Sequence, residues 1–432
     1  MTQHGVEPAA TLRHLFDVAI ERAHPRRCLG QHLAVPVGAE RILVLGAGKA
    51  AAAMAIAADE HYRALSPDRI SGHVTTRHGY ALPNPGGLIT IGEAAHPVPD
   101  AASAEAARSA LAMARAADAD TRIIVLLSGG ASALWSAPVD GVPFKAKQQL
   151  TRDLLRSGAA IGDINTVRRH LSGIKGGKLA RAAAGAKSLL TLAISDVPGD
   201  RPEGIGSGPT VADPTTLGDA REVLRRFKIA PHPAIIAALT DAGNETAKAG
   251  DTALARTEYR IVAAPKASLD AAAEAATRLG YRVVMLSDAL EGEARDRAAE
   301  HARLALDHKA RGERVAILSG GELTVTIRGT GQGGPNQEYA LALAIALDGA
   351  TGIAAVAGDT DGTDGGRGHA DDPAGALVLP DTIARARSLG IDAIGSLENN
   401  DSTNFFRRLG RLVETGPTQT NVNDFHAILV DP

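Results

Sequence analysis

Short apolar segments that end in a turn, each followed by an alanine-rich stretch, recur along this chain and restrict its fold more than any other feature. Examples are residues 41–49 (RILVLGAGK), 122–130 (RIIVLLSGG) and 259–268 (YRIVAAPKAS). Apolar runs of about four to eight residues that alternate with helical patterns of about 10–15 residues indicate βαβ units, whose strands are buried on both faces. The pattern therefore predicts an α/β protein with mainly parallel sheets flanked by helices.

The chain is long enough for more than one such sheet. A length of 432 residues favours about two or three domains. Residues 241–258 are polar and lack apolar periodicity, so we place the boundary there, between an N-terminal domain (1–245) and a C-terminal domain (246–432). Each predicted domain then contains one Ser-Gly-Gly sequence at the end of an apolar run.

Charge and cysteine content narrow the class of protein. The net charge of −3 provides no basic field that would attract nucleic acid or an anionic membrane. Cys28 is the only cysteine, which rules out a disulfide framework and suits a reducing compartment. The first 23 residues predict an amphipathic helix rather than a signal peptide, and no apolar stretch approaches the ~20 residues of a membrane span. We expect a cytoplasmic protein, and a homo-oligomer is compatible with this sequence.

The two Ser-Gly-Gly sequences are candidate anion-binding turns. Ligands of open α/β sheets bind outside the carboxyl ends of strands, and a glycine turn before a helix presents backbone N–H groups to an anion. Tight turns without a ligand are the alternative interpretation, and it stays open. The candidate residues are Ser128, Gly129, Gly130, Ser319, Gly320 and Gly321.

The segment GAGKAA (46–51) carries a different glycine pattern. It fails the Walker A motif, which requires a glycine five residues before Gly48 and a Ser or Thr after the lysine. Gly46, Gly48 and Ala51 satisfy the dinucleotide fingerprint, although no convincing acidic ribose partner follows. Lys49 would lie at the start of a helix, where a cation is unfavourable for the helix dipole, so a contact with phosphate explains it better than a solvated role.

Carboxylates and amides at other predicted turns are candidates for metal and substrate binding. Asp196 follows a strand, which is a usual position for a magnesium ligand or a general base. Asp359 and Asp361 lie in an Asp-rich turn that fails the EF-hand pattern and predicts instead a magnesium ion shared with a nucleotide. A solvated turn remains the alternative there. Asn336 and Glu338 fall in the first turn of a predicted helix, where capping competes with a binding role.

Taken in order, several motifs resemble those of one family. They are GAGKAA (46–51), EAAHPVPD (93–100), LLSGGASAL (126–134), INTVRRHLSGIKGGKLA (164–180), ISDVPGD (194–200), GSGPTVADPTT (206–216), LSGGE (318–322), GGPNQEYALALA (333–344), AGDTDGTDG (357–365) and TNVNDFHAILV (420–430). This ordered set covers nearly the whole chain. It resembles the glycerate 2-kinase family, also called type II glycerate kinases, whose C-terminal part is the MOFRL domain.

The resemblance implies a fold and a reaction. Family members have two α/β domains with the active site in the cleft between them, and they transfer phosphate from ATP, with Mg²⁺, to D-glycerate to give 2-phosphoglycerate. Some relatives are labelled hydroxypyruvate reductase, so an NAD(P)H-dependent reductase that uses the GAGKAA turn is the alternative. A non-catalytic sensor of a small anion is a third hypothesis, and no output module supports it.

The resemblance also implies roles for individual residues. Lys49 matches the catalytic lysine of the family, and Asp196 matches its SDVPGD position. Ser128, Gly129 and Gly130 match the first SGG turn of the family, and Lys175 matches its IKGG position. The residues that we predict to contact substrate or nucleotide are Gly46, Gly48, Ser128, Gly129, Gly130, Lys175, Ser207, Gly208, Ser319, Gly320, Gly321, Asn336 and Glu338. Many members have an arginine where this chain has Pro335, so another cation is needed here, and Arg77, Arg168 and Lys175 are the candidates.

Overall fold

A computed structural model describes residues 7–33, 35–65, 67–366 and 369–432. The chain divides into two compact units. The first unit is Cys28–Val262, and the second unit combines the N-terminal segment up to Arg27 with Ala263–Pro432. Across the described ranges, no helix combines the length and the apolar character that crossing a membrane would require.

The secondary structure follows the alternation seen in the sequence. The strands are β1 Arg41–Ala47, β2 Ile70–Arg77, β3 Ile89–Ala94, β4 Thr121–Leu127, β5 Ser188–Ile194, β6 Thr257–Ala263, β7 Arg282–Met285, β8 Leu290–Glu293, β9 Val315–Thr324, β10 Ile353–Asp359, β11 Gly375–Val378, β12 Leu412–Val413 and β13 Asp424–Val430. The helices are α1 Pro8–Ala23, α2 Pro25–Cys28, α3 Ala51–Arg63, α4 Ala101–Ala116, α5 Ala131–Leu134, α6 Phe144–Arg156, α7 Ile161–His170, α8 Lys178–Ala182, α9 Leu217–Arg226, α10 Pro233–Thr240, α11 Pro265–Arg278, α12 Ala294–Ala310, α13 Pro335–Leu347, α14 Thr382–Ser388, α15 Ala393–Glu398 and α16 Ser402–Leu409.

The first unit is built on a six-stranded sheet of order β3-β2-β1-β4-β5-β6. The pairs from β3 to β5 are parallel, as their glycine-terminated apolar runs predict. β1 and β4 are buried along almost their whole length, because helices cover both faces of a parallel sheet. Alanines of α4 pack against one face together with leucines of β1 and β4, which lets the helix approach the sheet closely. The α/β class is therefore confirmed for this unit.

The second unit is also α/β, but its sheet is mixed rather than mainly parallel. Its strand order is β12-β11-β10-β13-β9-β7, and β8 pairs with β9. The last strand, β13, lies between β9 and β10 and runs antiparallel to both. The β10–β11 and β11–β12 pairs are antiparallel as well, and parallel pairing is confined to β7 and β8 beside β9. Apolar content alone does not encode strand direction, and for this reason the prediction of a mainly parallel sheet is wrong here.

The units divide at positions other than the predicted boundary after residue 245. The polar stretch beyond it belongs to the first unit, because the backbone of Ala247 bonds to Gly176 and Asp213 and because β6 completes the first sheet. The N-terminal helix α1 belongs to the second unit. Its apolar face packs there, with the rings of Phe16 and Phe425 5.8 Å apart.

Candidate active site

The carboxyl ends of β1 and β4 lie side by side at the point where the strand order of the first sheet reverses. From β1 the chain continues to β2 and β3 on one side, and from β4 it continues to β5 and β6 on the other. Open α/β sheets bind ligands in the crevice at such a reversal. Two segments occupy it: the GAGK turn (46–49) after β1 and the first SGG turn (128–130) after β4. They form the core of the candidate site.

The backbone of the GAGK turn is already hydrogen-bonded within the protein. Its amides donate from Gly48 to the Thr75 carbonyl (3.1 Å), from Lys49 to the Gly129 carbonyl (2.8 Å) and from Ala50 to the Ser128 Oγ (3.0 Å). The next amide, at Ala51, donates to the Gly48 carbonyl. No amide of residues 48–51 is therefore left to hold a phosphate, which contradicts the predicted nucleotide contact at this backbone.

The two glycines of this turn are explained by close packing instead. Gly46 lies within β1, and a Cβ there would be 2.8 Å from the carbonyl oxygen of Leu126. Gly48 has a φ of +141°, and a Cβ there would be 2.0 Å from the Ser128 Oγ. The fingerprint match of Gly46 and Gly48 thus reflects the contact between β1 and β4 rather than a dinucleotide site.

The first SGG turn does keep donors for a ligand. Within the part of the chain that the structure describes, the amides of Gly129 and Gly130 have no hydrogen-bond acceptor. Gly130 adopts the left-handed conformation (φ +83°) just before α5. Ser128 is fully buried, and its Oγ is the acceptor for Ala50, so its role is to hold the turn in place. Gly129 and Gly130 are the backbone groups of this site that suit an anion.

Lys49 projects into the same crevice. Its side chain is half-buried, and its Cγ lies 3.5 Å from the position that a Cβ on Gly130 would take. The imidazole of His96 approaches the same position to 3.1 Å. The carbonyl of Lys49 accepts a hydrogen bond from the Thr76 Oγ1 (3.2 Å), which fixes the backbone from which the ammonium extends. The structure therefore brings the predicted catalytic lysine beside the donors of the SGG turn.

Lys175 and the Ser207–Gly208 segment also meet at this site. The Nζ of Lys175 donates to the Oγ (2.8 Å) and the carbonyl of Ser132 on α5, and the Ser132 Oγ is 2.8 Å from the Ser207 Oγ. The amide of Gly177 donates to the Gly208 carbonyl. Lys175 is only 1% exposed, and burial lowers its pKa well below the ordinary lysine value.

Asp196 follows β5, the strand that lies next to β4 in the first sheet. Burial raises the pKa of the nearby Tyr259 hydroxyl, and the half-buried Asp196 carboxylate and Glu203 add to that shift. β5 is two strands from β1, so at a strand spacing of about 4.8 Å this carboxylate lies on the order of 10 Å from the GAGK turn. Asp196 thus occupies the same edge of the sheet as Lys49.

The sequence analysis did not identify Lys147, a buried cation that lies close to Lys175. It is 6% exposed, and the pKa of its ammonium is lowered to about 7 by burial and by nearby Arg168 and Lys178. A signal was available, because Lys147 occupies the apolar face of α6 together with Leu150 and Leu154. A lysine within an apolar stripe is unusual.

The second SGG sequence is not a turn. Ser319, Gly320 and Gly321 lie inside β9, which continues to Thr324 and pairs with β13 on one side. A Cβ on Gly321 would be 2.2 Å from the Leu290 carbonyl of β8. Ser319 is buried, and its Oγ is 3.3 Å from the imidazole of His426. The predicted anion-binding role of these three residues is therefore not supported, since the glycines are needed for strand packing.

Asn336 and Glu338 are buried in a polar network of the second unit. Asp364 rather than either residue caps α13, because its carboxylate accepts from the amides of Asn336 (3.0 Å) and Gln337 (2.8 Å). The Asn336 side chain donates to Asp364 and Asp424. Glu338 pairs with Arg295 at 2.6 Å. These contacts give both predicted binding residues a structural role.

The Asp-rich turn is ordered largely by its own backbone. Asp359 accepts a hydrogen bond from the amide of Asp361 (2.9 Å), and Asp361 accepts one from the amide of Thr363 (2.8 Å). Among the residues that the structure covers, no three His, Cys, Asp or Glu side chains are arranged to hold a metal ion. Metal binding by Asp359 and Asp361 therefore remains a prediction, and any such site would need ligands from a bound molecule.

His301 lies on α12 of the second unit. Replacing it by glutamine is expected to remove an acid-sensitive part of the stability of that unit. The imidazole of His301, 2.7 Å from the Tyr339 hydroxyl, has a pKa lowered to about 4 by burial. The unfolded chain, with a pKa of about 6.5, binds the proton first as the pH falls. The contribution of the neutral His301 imidazole to the free energy of unfolding is fully present above about pH 6.5 and is lost toward pH 4. Between pH 7 and pH 5 this loss amounts to about 2 kcal/mol.

Urea unfolding of the wild type and His301→Gln at both pH values measures this difference directly. His14→Gln, which changes an exposed histidine on α1 of the same unit, should follow the wild-type profile. If the wild type and His301→Gln lost the same unfolding free energy between pH 7 and pH 5, His301 would not be a buried neutral imidazole.

Comparison with known proteins places this architecture in a family. A model described as "Domain of unknown function (DUF4147)" matches residues 11–240, and one described as "MOFRL family" matches residues 315–424. A "D-glycerate 2-kinase" of Thermotoga maritima is 36% identical over 410 residues, which cover 94% of each chain. A protein of Agrobacterium vitis named "Putative hydroxypyruvate reductase" is 48% identical over 438 residues, covering 100% of this chain and 96% of that protein.

A solved structure agrees with these matches. The crystal structure of a glycerate kinase from Thermotoga maritima aligns with a TM-score of 0.85 and 35% identity, covering 98% of this chain and 99% of that one. The resemblance inferred from the ordered motifs is thereby confirmed. The chain belongs to the glycerate 2-kinase family.

Proposed function

We propose that this chain transfers the γ-phosphoryl group of ATP to D-glycerate, with Mg²⁺, and releases 2-phosphoglycerate and ADP in the cytoplasm. One observation carries the proposal: Lys49 lies against an SGG turn whose Gly129 and Gly130 amides are open to a ligand, at the strand reversal of an α/β sheet. We infer the substrate and the carbon that is phosphorylated from relatives that are named as glycerate kinases. The single buried thiol of Cys28 suits a reducing compartment.

The residues of this site match what phosphoryl transfer requires of a protein. Negative charge spreads over the oxygens of the transferred group, so catalysis depends mainly on positioning and on neutralising that charge. Gly129 and Gly130 donate backbone hydrogen bonds to such oxygens, and the Lys49 ammonium adds a compact positive charge. Because the GAGK turn is fixed by bonds to Thr75 and Ser128, these groups need little reorganisation.

Asp196 fits a ligand for the magnesium ion that a nucleotide carries. Magnesium prefers one or two carboxylates and completes its shell with phosphate oxygens and water, so a cage of three protein ligands is not required. Asp196 offers a half-buried carboxylate at the carboxyl end of β5. When bound, the ion would neutralise phosphate charge, and the protein's part is to hold the carboxylate in place.

Asp196→Asn is expected to lower turnover and to raise the magnesium concentration needed for half-maximal rate. The amide keeps the shape of the side chain and removes the charge that attracts the ion. A magnesium titration of the initial rate, at fixed ATP and D-glycerate, measures both effects. Asp68→Asn, which changes an exposed aspartate of the same unit, serves as the control. If Asp196→Asn kept wild-type rates at limiting magnesium, Asp196 would not be a magnesium ligand.

Reduction of hydroxypyruvate is the second candidate, favoured by the name of the relative in Agrobacterium vitis. The strand order 3-2-1-4-5-6 is also that of dinucleotide-binding folds. The geometry of the turn argues against it. A pyrophosphate would need the amides that follow β1, and those of Gly48, Lys49 and Ala50 are bonded within the protein.

Two parallel reactions distinguish the candidates. One contains purified protein, D-glycerate and MgATP and is assayed for ADP, with ³¹P NMR to identify the phosphorylated carbon. The other contains hydroxypyruvate with NADH or NADPH and is followed at the nicotinamide absorbance. We expect ADP and 2-phosphoglycerate from the first and no oxidation in the second. Nicotinamide oxidation without ADP formation would refute the kinase.

A further inference from the structure

Three cationic side chains converge inside the first unit. Lys147 on α6 and Lys175 after α7 are 6% and 1% exposed, and Arg168 on α7 is half-buried. Arg168 acts electrostatically on both lysines, and Lys147 acts on Lys175. Throughout the described ranges, none of the three forms an ion pair with an aspartate or glutamate. The group is therefore a buried concentration of positive charge without an anionic partner from the protein.

The hydrogen bonds of these cations leave donors unused. The Lys147 ammonium reaches the Ala137 carbonyl at 3.4 Å, although it has three N–H groups. Arg168 makes one long contact, 3.5 Å to the Asn165 amide oxygen. Lys175 is better satisfied because it donates twice to Ser132. The remaining N–H groups of Lys147 and Arg168 are therefore available to donate to the oxygens of an anion.

The charge of this group is costly in the absence of an anion. Transfer of a charged ammonium into the interior is unfavourable unless an opposite charge compensates it, and neighbouring like charges add to the cost. Burial lowers the pKa values of Lys147 and Lys175 accordingly. A bound carboxylate or phosphate would offset both effects and restore the charged lysines.

We propose that Lys147 completes, with Arg168 and Lys175, a receptor for an anionic oxygen group of the substrates, beside the Gly130 turn. Lys175 places the receptor there, since it bonds to Ser132 only two residues after Gly130. The occupant is the carboxylate of the hydroxy acid or a phosphate of the nucleotide, groups that share the same recognition chemistry. The identity of the occupant rests on the proposed kinase function, whereas the receptor itself does not.

Lys147→Met tests the receptor, with Lys145→Met as a matched control. Both changes replace a lysine of α6, and Lys145 is exposed. Lys147→Met should raise the KM for one substrate about 10-fold or more, with a smaller change in kcat and in the other KM. A raised KM for D-glycerate identifies the carboxylate, and a raised KM for MgATP identifies the phosphate. Without ligands, the melting temperature should be unchanged or higher, because an uncompensated buried cation has been removed.

A binding measurement separates the receptor from the reaction. D-glycerate, MgADP and inorganic phosphate are each added to wild-type and variant protein, and the rise in melting temperature is recorded. At least one probe should stabilise the wild type and Lys145→Met more than Lys147→Met. That result in a protein without kinase activity would keep the receptor and refute the proposed function. Equal rises in melting temperature for the wild type and Lys147→Met, together with unchanged KM values, would overturn the receptor. A lower melting temperature of Lys147→Met in the absence of ligands would also overturn it.

Discussion

Lys49→Met is expected to reduce turnover by ~10²–10³, the largest catalytic effect of any single change in this site. The ammonium of Lys49 extends from a turn held by Gly129 and Ser128, so it meets the developing charge of the phosphoryl group without reorganisation. Loss of one such preorganised donor typically costs ~3–4 kcal/mol of barrier. Methionine retains the apolar stem beside Gly130 and removes only the charge. Steady-state kinetics with saturating MgATP and D-glycerate measures the loss.

Two further variants distinguish a catalytic lysine from one that supports the fold. Lys49→Arg should restore little activity, because a planar guanidinium does not replace a compact ammonium at a fixed position. Lys145→Met, at an exposed site of the same unit, should keep wild-type turnover. The melting temperature of Lys49→Met should stay close to that of the wild type. If Lys49→Met kept most of the wild-type turnover, Lys49 would not be a catalytic residue.

The first sheet could be predicted from sequence because its strands carry a redundant signal. A strand such as β1 or β4 is buried on both faces and therefore consists almost entirely of apolar residues, and the helices between strands enforce parallel pairing. The second sheet lacks this redundancy. β13 is equally buried, but its position between β9 and β10 depends on contacts distant in sequence, which periodicity does not record.

The positions of Lys49 and of the first glycine turn at strand ends follow the sequence prediction, whereas the surroundings of the other predicted site residues do not. Both SGG sequences follow apolar runs, yet Gly130 precedes a helix whereas Gly321 continues a strand against Leu290. The difference arises from the neighbouring strand β8 and not from the motif. Likewise, Gly48 fits a dinucleotide fingerprint, but the nearby Ala50 amide is directed to Ser128, in the turn that follows another strand, β4. Tertiary partners decide what a short glycine motif does.

Gly48→Ala is expected to cause the largest loss of stability of any change near the site. The φ of Gly48 is +141°, a conformation that side chains rarely adopt, and a Cβ would lie 2.0 Å from the Ser128 Oγ. The strain and the overlap together should destabilise the first unit by about 3 kcal/mol or more. This corresponds to a fall in melting temperature of roughly 6–12 °C for a unit of this size. Turnover should fall as well, because Lys49 is the next residue.

A control and a double variant separate backbone strain from overlap at Gly48. Gly86→Ala introduces alanine at a positive φ (+68°) with no atom within 4 Å of the new Cβ, so it should cost only about 1–2 kcal/mol. Adding Ser128→Ala to Gly48→Ala removes the nearest overlapping atom but leaves the Ser128 backbone oxygen and nitrogen at 2.7 and 2.8 Å. The double variant should therefore recover only part of the stability. Equal melting temperatures for Gly48→Ala and Gly86→Ala would mean that the GAGK turn does not pack against the SGG turn in solution.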